Sequence, residues 1–346
     1  MVLGALLVAA PAAAAPAGRG AYPRDTKLRL DQVQLLGTHN SYHVRPEPPL
    51  DTDPALLYDH LPLEVQLDEL GLRSFELDVH NGAELPVFHT LIIDTRSTCA
   101  TLSECLGILG RWSRQHRGHV PLVVLVEPKD LPTFPDPGVQ GVIDQTAAEQ
   151  GLANWDAAGL DRLDAAVRRA FGRSLVTPDE VRGRFATLRT AILERGWPTL
   201  AKVRGGVIVV LSTAGPLREQ FLADAPSLEG KAMFVTARLE MPAAAFVSRD
   251  APHPAEIQRL VRQGFLVRSR TDADLVEAKA GDTTRVTKAL DSGAQVLHTD
   301  FPVPDPIVGP YVVELPGPVT ARCNPVSAPK RCRDRDVEHR QGLRKG

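Results

Sequence analysis

The 346-residue chain has no internal run of about 18 apolar residues, so no mature membrane-spanning helix is expected. It has no excess of either charge. Lys and Arg number 40 against 42 Asp and Glu, a net charge of -2, whereas a nucleic-acid binder normally shows a basic domain. No Cys-x-x-Cys pair supports a zinc site. Neither Gly-x-Gly-x-x-Gly nor a Walker A sequence occurs, which weakens a doubly wound nucleotide-binding sheet. No internal repeat is found. What is present is 43% hydrophobic and 24% charged residues, enough for a packed core and against wholesale disorder. Length alone suggests two domains at about 150 residues each, but α/β barrels run to about 250 residues as one.

Met1 to Ala15 carries no charge and is dominated by Ala, Leu and Val. Ala12 to Ala15 offers the small residues a signal peptidase accepts, although the basic start of a signal peptide is missing. Residues 1–15 are expected as a secretory signal, with a disordered Ala/Pro tail as the alternative. Four cysteines suit secretion. Cys99 lies near Cys105 and Cys323 near Cys332, so two local disulfides fit an oxidising compartment; other pairings stay open.

Eight short apolar runs read as strands: Val33–Gly37, Arg73–Val79, Pro121–Val126, Ser174–Thr177, Gly206–Leu211, Ala232–Thr236, Gly264–Arg268 and Gln295–Thr299. Helical signals lie between many of them. Thr101 to His116 puts Leu102, Cys105, Leu106, Leu109 and Trp112 on one face. Leu160 to Phe171 stops at Gly172, and Pro254 to Gln263 stops at Gly264. Thr177-Pro178-Asp179-Glu180 reads as a cap, a first-turn proline and a capping-box glutamate. Alternating strand and helix predicts a (β/α)₈ barrel, with an open doubly wound sheet as runner-up. The catalytic barrel is expected over 16–315. Residues 316–346, rich in Pro and Arg, are expected as a solvated tail with some attraction to anionic surfaces.

The chemistry falls at early strand ends, where barrels of this type build active sites. The first run ends in Gly37-Thr38-His39-Asn40-Ser41-Tyr42. The second is Phe75-Glu76-Leu77-Asp78-Val79-His80, and alternation places Glu76, Asp78 and His80 on one face. Two carboxylates on one face need a cation, a shared proton or water. A hard metal with oxygen ligands meets that need, and Asn40 could add a neutral oxygen. Pro86-Val87-Phe88-His89-Thr90 supplies another imidazole, and an apolar strand closes with Glu127-Pro128-Lys129. Singly, each has an ordinary structural explanation. Together, two histidines, three carboxylates and an asparagine at strand ends call for a site.

The order His-Asn, Glu-x-Asp, His, Glu resembles the Ca²⁺-dependent phosphatidylinositol-specific phospholipase C barrel, a PLC-like phosphodiesterase fold, in its secreted bacterial branch. The motifs lie between His39 and Lys129; the C-terminal half is supported by length and strand count. The resemblance implies Ca²⁺, with Mg²⁺ as the alternative, held by Asn40, Glu76, Asp78 and Glu127. It implies that His39 stabilises the pentavalent transition state and that His89 is the general acid. Glu76 or Glu127 would take the proton from the inositol 2-hydroxyl, which attacks its neighbouring phosphate to give a cyclic phosphodiester. His80 has no family role. Lys129, Arg268 and Arg270 are candidates for substrate contacts because they fall at or after strand ends. Asp300 could orient a ligand hydroxyl or cap the next turn.

The expected partner is a phospholipid at a membrane surface, met through mouth loops such as Val44 to Leu57, by a secreted monomer. The nearest competitor is a glycerophosphodiester phosphodiesterase on a similar barrel, whose family usually begins with His-Arg-Gly rather than His39-Asn40-Ser41. A non-catalytic metal- or ligand-binding barrel predicts metal affinity without turnover.

Overall fold

The computed structural model describes residues 22–339 apart from Thr52, and not the side chain of His339. The expected secretory segment over residues 1–15 and the terminal stretch 340–346 lie outside the described residues.

Eight parallel strands run β1 (Val33–Thr38), β2 (Ser74–His80), β3 (Leu122–Lys129), β4 (Val207–Leu211), β5 (Phe234–Val235), β6 (Phe246–Ser248), β7 (Leu266–Arg270) and β8 (Val296–Thr299). They pair in the order β5-β4-β3-β2-β1-β8-β7-β6, and a parallel bridge from Thr236 to Phe246 links the two ends. The result is a nearly closed (β/α)₈ barrel. Leu122 to Val126 is apolar at every position because the barrel interior covers one face of β3 and helices the other. On β2, Phe75, Leu77 and Val79 alternate with Ser74, Glu76 and Asp78. Glu76 reaches across the barrel to β7 and β8, so the polar set faces inward. Gly37 permits the closest approach of β1 to β2: a Cβ there would lie 2.1 Å from the Ser74 carbonyl oxygen.

Two strand expectations change. Ser174–Thr177 is not a barrel strand. It makes one bridge, Leu175 to Val207, before Pro178 opens a helix. The strand that sequence reading missed is β6, three residues long and preceded by Ala243-Ala244-Ala245, which carry no β-branched signal. The helices follow their caps. Thr177 and Glu180 form the capping box, and the helix Ala157–Phe171 ends at Gly172 with φ of 50°.

The segment after Pro316, expected to be solvated, instead closes the base of the barrel. β9 (Val319–Cys323) runs antiparallel to the start of β1, and β10 (Glu338–His339) pairs with β9. Glu338 is fully buried and accepts from Arg73 Nε at 2.7 Å. Its polar composition is answered by buried polar partners rather than by water. Disulfides join Cys99 to Cys105 and Cys323 to Cys332. Among the described residues no helix is long and apolar enough to cross a membrane.

Candidate active site

His39 follows β1 directly, and Asp300 follows β8. His39 Nδ1 lies 2.9 Å from Asp300 Oδ1, and Asp300 Oδ2 accepts from Arg270 at 2.5 Å. Burial pushes the Asp300 carboxyl up, but Arg270 and then His39 outweigh it and hold it below the usual carboxylate range. Asp300 is therefore the acceptor, and Nδ1 of His39 carries the proton. His39 Nε2 has no partner among the described residues, and the side chain is 23% exposed. Asp300 thus orients an imidazole rather than capping a turn. Asp272 backs this pair, accepting from the Asp300 amide at 2.9 Å and from Thr299 Oγ1 at 2.5 Å.

Glu76 is deeper. Its Oε2 accepts from Arg268 at 2.6 Å and lies 3.0 Å from His298 Nδ1. Burial raises this carboxyl, yet Arg268 and the His298 hydrogen bond hold it well below its ordinary value. A carboxylate held so low is a weak base. Arg268, only 4% exposed, also pairs with Asp250, so it serves as an internal counter-charge. Burial lowers His298 to about 4, which keeps it neutral.

Asp78 and Glu127 stand directly opposite each other across β2 and β3. Lys129 Nζ sits between them, 2.9 Å from Glu127 Oε1 and 3.2 Å from Asp78 Oδ2. The buried Asp78 oxygens form no well-aligned hydrogen bond and rely on that ammonium. Burial and then Glu127 push the Asp78 carboxyl up to about 6. Asn40, buried and left-handed at φ of 44°, turns the chain at the neighbouring strand end, a conformation Asn tolerates better than most residues. Among the described residues no three His, Cys, Asp or Glu side chains already converge as a metal cage. The donor chemistry nevertheless fits a hard cation: the set is all oxygen, and Asp78 is a buried carboxylate with unmet acceptors.

His89 lies on the excursion after β2. Its Nδ1 is 3.1 Å from Asp94 Oδ2, and its side chain is 26% exposed. The same Asp94 oxygen is 2.9 Å from Nε2 of the buried His43, whose Nδ1 donates to the Tyr58 carbonyl at 3.1 Å. His43 and Asp94 were not found by sequence reasoning. The signal was available only weakly, as an aspartate five residues after His89. His80 stacks on Phe88 with ring centroids 3.8 Å apart, and burial lowers it to about 4, which suits a structural role.

The mouth is rimmed by apolar side chains. Seven of the eight large hydrophobics that the described residues expose follow C-terminal strand ends. Leu50 and Leu61 follow β1, and Phe134, Val139 and Val142 follow β3. Val276 follows β7 and Ile307 follows β8. The expected docking loop, Val44 to Leu57, supplies only Leu50.

Comparison with known proteins agrees with this geometry. The family model for Ca²⁺-dependent phosphoinositide phospholipase C matches residues 28–86 and 81–325. A calcium-dependent phosphoinositol-specific phospholipase C from a Pseudomonas species is 15% identical, with a TM-score of 0.57 over 87% of this chain and 97% of that one. A Ca²⁺-dependent phosphatidylinositol-specific phospholipase C from Streptomyces antibioticus is 18% identical, with a TM-score of 0.53 over 79% of this chain and 95% of that one. These likenesses establish the barrel. No curated relative matches the sequence. The family model covers most of the chain and gives no sign favouring the glycerophosphodiesterase or the non-catalytic barrel. The chain belongs to the Ca²⁺-dependent phosphoinositide phospholipase C family, enzymes that cleave a phosphoric diester.

Proposed function

We propose that the mouth cleaves phosphatidylinositol at a membrane surface, outside the cell, releasing diacylglycerol and a cyclic inositol phosphate. The observation that carries this reading is the pair of imidazoles, His39 and His89. Each is held through Nδ1 by a buried aspartate, Asp300 or Asp94, and each remains about a quarter exposed. Such fixing leaves Nε2 as the working nitrogen on both rings.

Asn40, Asp78 and Glu127 would hold Ca²⁺, with Glu76 joining through Oε1 while its Oε2 keeps Arg268. When bound, the ion would supply the positive charge that acidifies the attacking hydroxyl and offsets charge on the phosphate. The inositol 2-hydroxyl forms the new bond to phosphorus, and the bond to the glycerol oxygen breaks. Glu127 takes the hydroxyl proton, because it is more than a third exposed while Glu76 is held low by Arg268. His39 donates to a non-bridging phosphoryl oxygen. His89 gives its proton to the departing diacylglycerol oxygen. Lys129 lies at the tip of β3, free enough to reach the phosphate once its carboxylates are otherwise occupied. Arg268 and Arg270 act from behind, through Glu76 and Asp300. The apolar rim would seat in the bilayer and bring the headgroup to the mouth.

Phosphorus NMR on phosphatidylinositol vesicles tests the reading. A cyclic inositol phosphate signal is expected with Ca²⁺ and not with excess chelator. His39→Ala and His89→Ala should each remove turnover while leaving melting temperature and Ca²⁺ affinity nearly intact. Near-wild-type turnover in either variant refutes its assignment.

A further inference from the structure

The base of the barrel, opposite the mouth, carries a cleft of about 880 Å³ that the proposed chemistry does not use. It opens beside the Gly205-Gly206 turn that enters β4 and the chain that leads into β3. Phe171, Leu175 and Val203 supply apolar surface within it. Arg114, Arg117, Arg173 and Lys202 also line it, and all four are exposed. None of these four side chains forms an ion pair or hydrogen bond with a described residue, unlike the arginines of the mouth. The carboxylate within the cleft is Glu180, and it is engaged in accepting from the Thr177 amide at 3.1 Å. Arg204 at the back is already answered by Asp25, through Nε at 2.8 Å and Nη2 at 2.5 Å.

The chain carries a net charge of -2, so this gathering of cations is local rather than compositional. Like charges around one cavity repel unless an anion joins them. Guanidinium groups match phosphate oxygens in geometry as well as charge. An apolar floor beneath a cationic rim suits an organic body bearing phosphates better than a bare monovalent ion. The base also faces away from the apolar rim, so a bilayer seated at the mouth leaves it in solvent.

We propose that this basal cleft binds a soluble, multiply charged phosphate compound. The probe is inorganic tripolyphosphate, titrated calorimetrically into the full-length protein at low ionic strength and without Ca²⁺, which tripolyphosphate would sequester. Saturable one-to-one binding is expected, weakening as salt rises. Replacing Arg114, Arg117, Arg173 and Lys202 together by Gln should weaken it about thirtyfold, if each exposed charge contributes about as much as a surface ion pair. Melting temperature and phosphatidylinositol cleavage should stay unchanged. Arg173→Gln alone should give a smaller loss in the same direction and serves if the fourfold variant folds poorly. Absence of binding, or equal binding by wild type and the fourfold variant, overturns the proposal. So does a result in which the fourfold variant loses only its attachment to vesicles containing phosphatidylserine, because the ligand would then be a lipid surface.

Discussion

Calcium affinity should depend on pH through Asp78, and the structure sets both the position and the size of the effect. Asp78 is buried, faces Glu127 across the ladder, and has its carboxyl raised from 3.8 to about 6. A shift of about two units corresponds to about 3 kcal/mol held against the ionised form at neutral pH. A cation that needs the carboxylate must compete with the proton below that value. Calcium affinity should therefore be flat above about pH 7, about tenfold weaker at pH 5, and fall about tenfold for each further unit. Without metal the sign for folding is the reverse. A carboxyl whose folded value is raised binds its proton more tightly in the folded chain, so Asp78 adds stability as pH falls through about 6. Asp272, raised to about 6 by burial and then by Asp300, acts in the same direction. The depressed carboxylates Glu76, Asp300, Asp94 and Glu338 begin to cost stability only as pH falls below their unfolded values near about 4.

Buried His60, His80, His119 and His298, lowered to about 4, lose stability over the same range and oppose this. The Asp78 contribution is therefore read against Asp78→Asn: without metal the wild type should gain stability relative to that variant as pH falls from 7 to 5, and saturating Ca²⁺ should reverse that order. Calorimetric Ca²⁺ titration from pH 5 to 8, beside thermal melts with Ca²⁺ and with chelator, measures both. Asp78→Asn should weaken binding at pH 7.5 and flatten the profile. Affinity that does not change between pH 5 and 7, or an Asp78→Asn protein that binds Ca²⁺ as the wild type does, refutes the reasoning.

Glu338→Ala leaves Arg73 buried without its carboxylate and should cost about 3–5 kcal/mol in urea unfolding. A loss under about 1 kcal/mol would mean that the C-terminal strands are not a brace. Phe134→Ser combined with Ile307→Ser should lower cleavage in vesicles but not cleavage of a water-soluble short-chain substrate. Equal loss on both would place the defect in the site rather than in docking. Lys129→Met removes the ammonium that now sits between Asp78 and Glu127. Calcium should bind about tenfold more tightly, the sum of two partly exposed ion pairs, while kcat/KM falls. Weaker Ca²⁺ binding in that variant would show that Lys129 does not compete with the ion.

The barrel and the strand-end placement of the first three candidate segments were legible because their signals are local. His39-Asn40, Glu76-x-Asp78 and Glu127 each close an apolar run, and strand alternation alone puts Glu76 and Asp78 on one face. The partners that give these residues their properties were not legible. Glu76 meets His298 across 222 residues of sequence, and His43 meets Asp94 across 51. A period-two reading of β8 would have pointed His298 into the barrel, but nothing local says that it meets Glu76 there. The C-terminal segment was misread for a related reason. Composition reports how polar Asp334, Asp336 and Glu338 are, but not that the base of the barrel supplies Arg73 and the Val120 amide to receive Glu338. Short strands such as β6 carry too few residues for a periodic signal, and ring closure rather than local preference accounts for them.

Charge at the mouth would let one set of residues fold without metal and still take it up as proposed. Glu76 is neutralised by Arg268 and Asp300 by Arg270, and both arginines are nearly enclosed by the barrel. Both arginines stand on β7 and cannot swing clear without opening the wall. Asp78 and Glu127 are answered differently, by a lysine at the very end of β3 whose side chain is 25% exposed. A four-carbon stem at a strand end can move where a guanidinium inside the barrel cannot. Binding of a divalent ion at Asp78 and Glu127, as proposed, would then be an exchange of one cation for another, not the creation of a charge cluster. The displaced ammonium stays within a side chain's length of the mouth, where the substrate's phosphate would arrive. Moving that one lysine would clear Asp78 for the ion and supply a counter-charge for the diester. Asp300 would keep Arg270 throughout, so the orientation of His39 would not depend on whether the ion is bound.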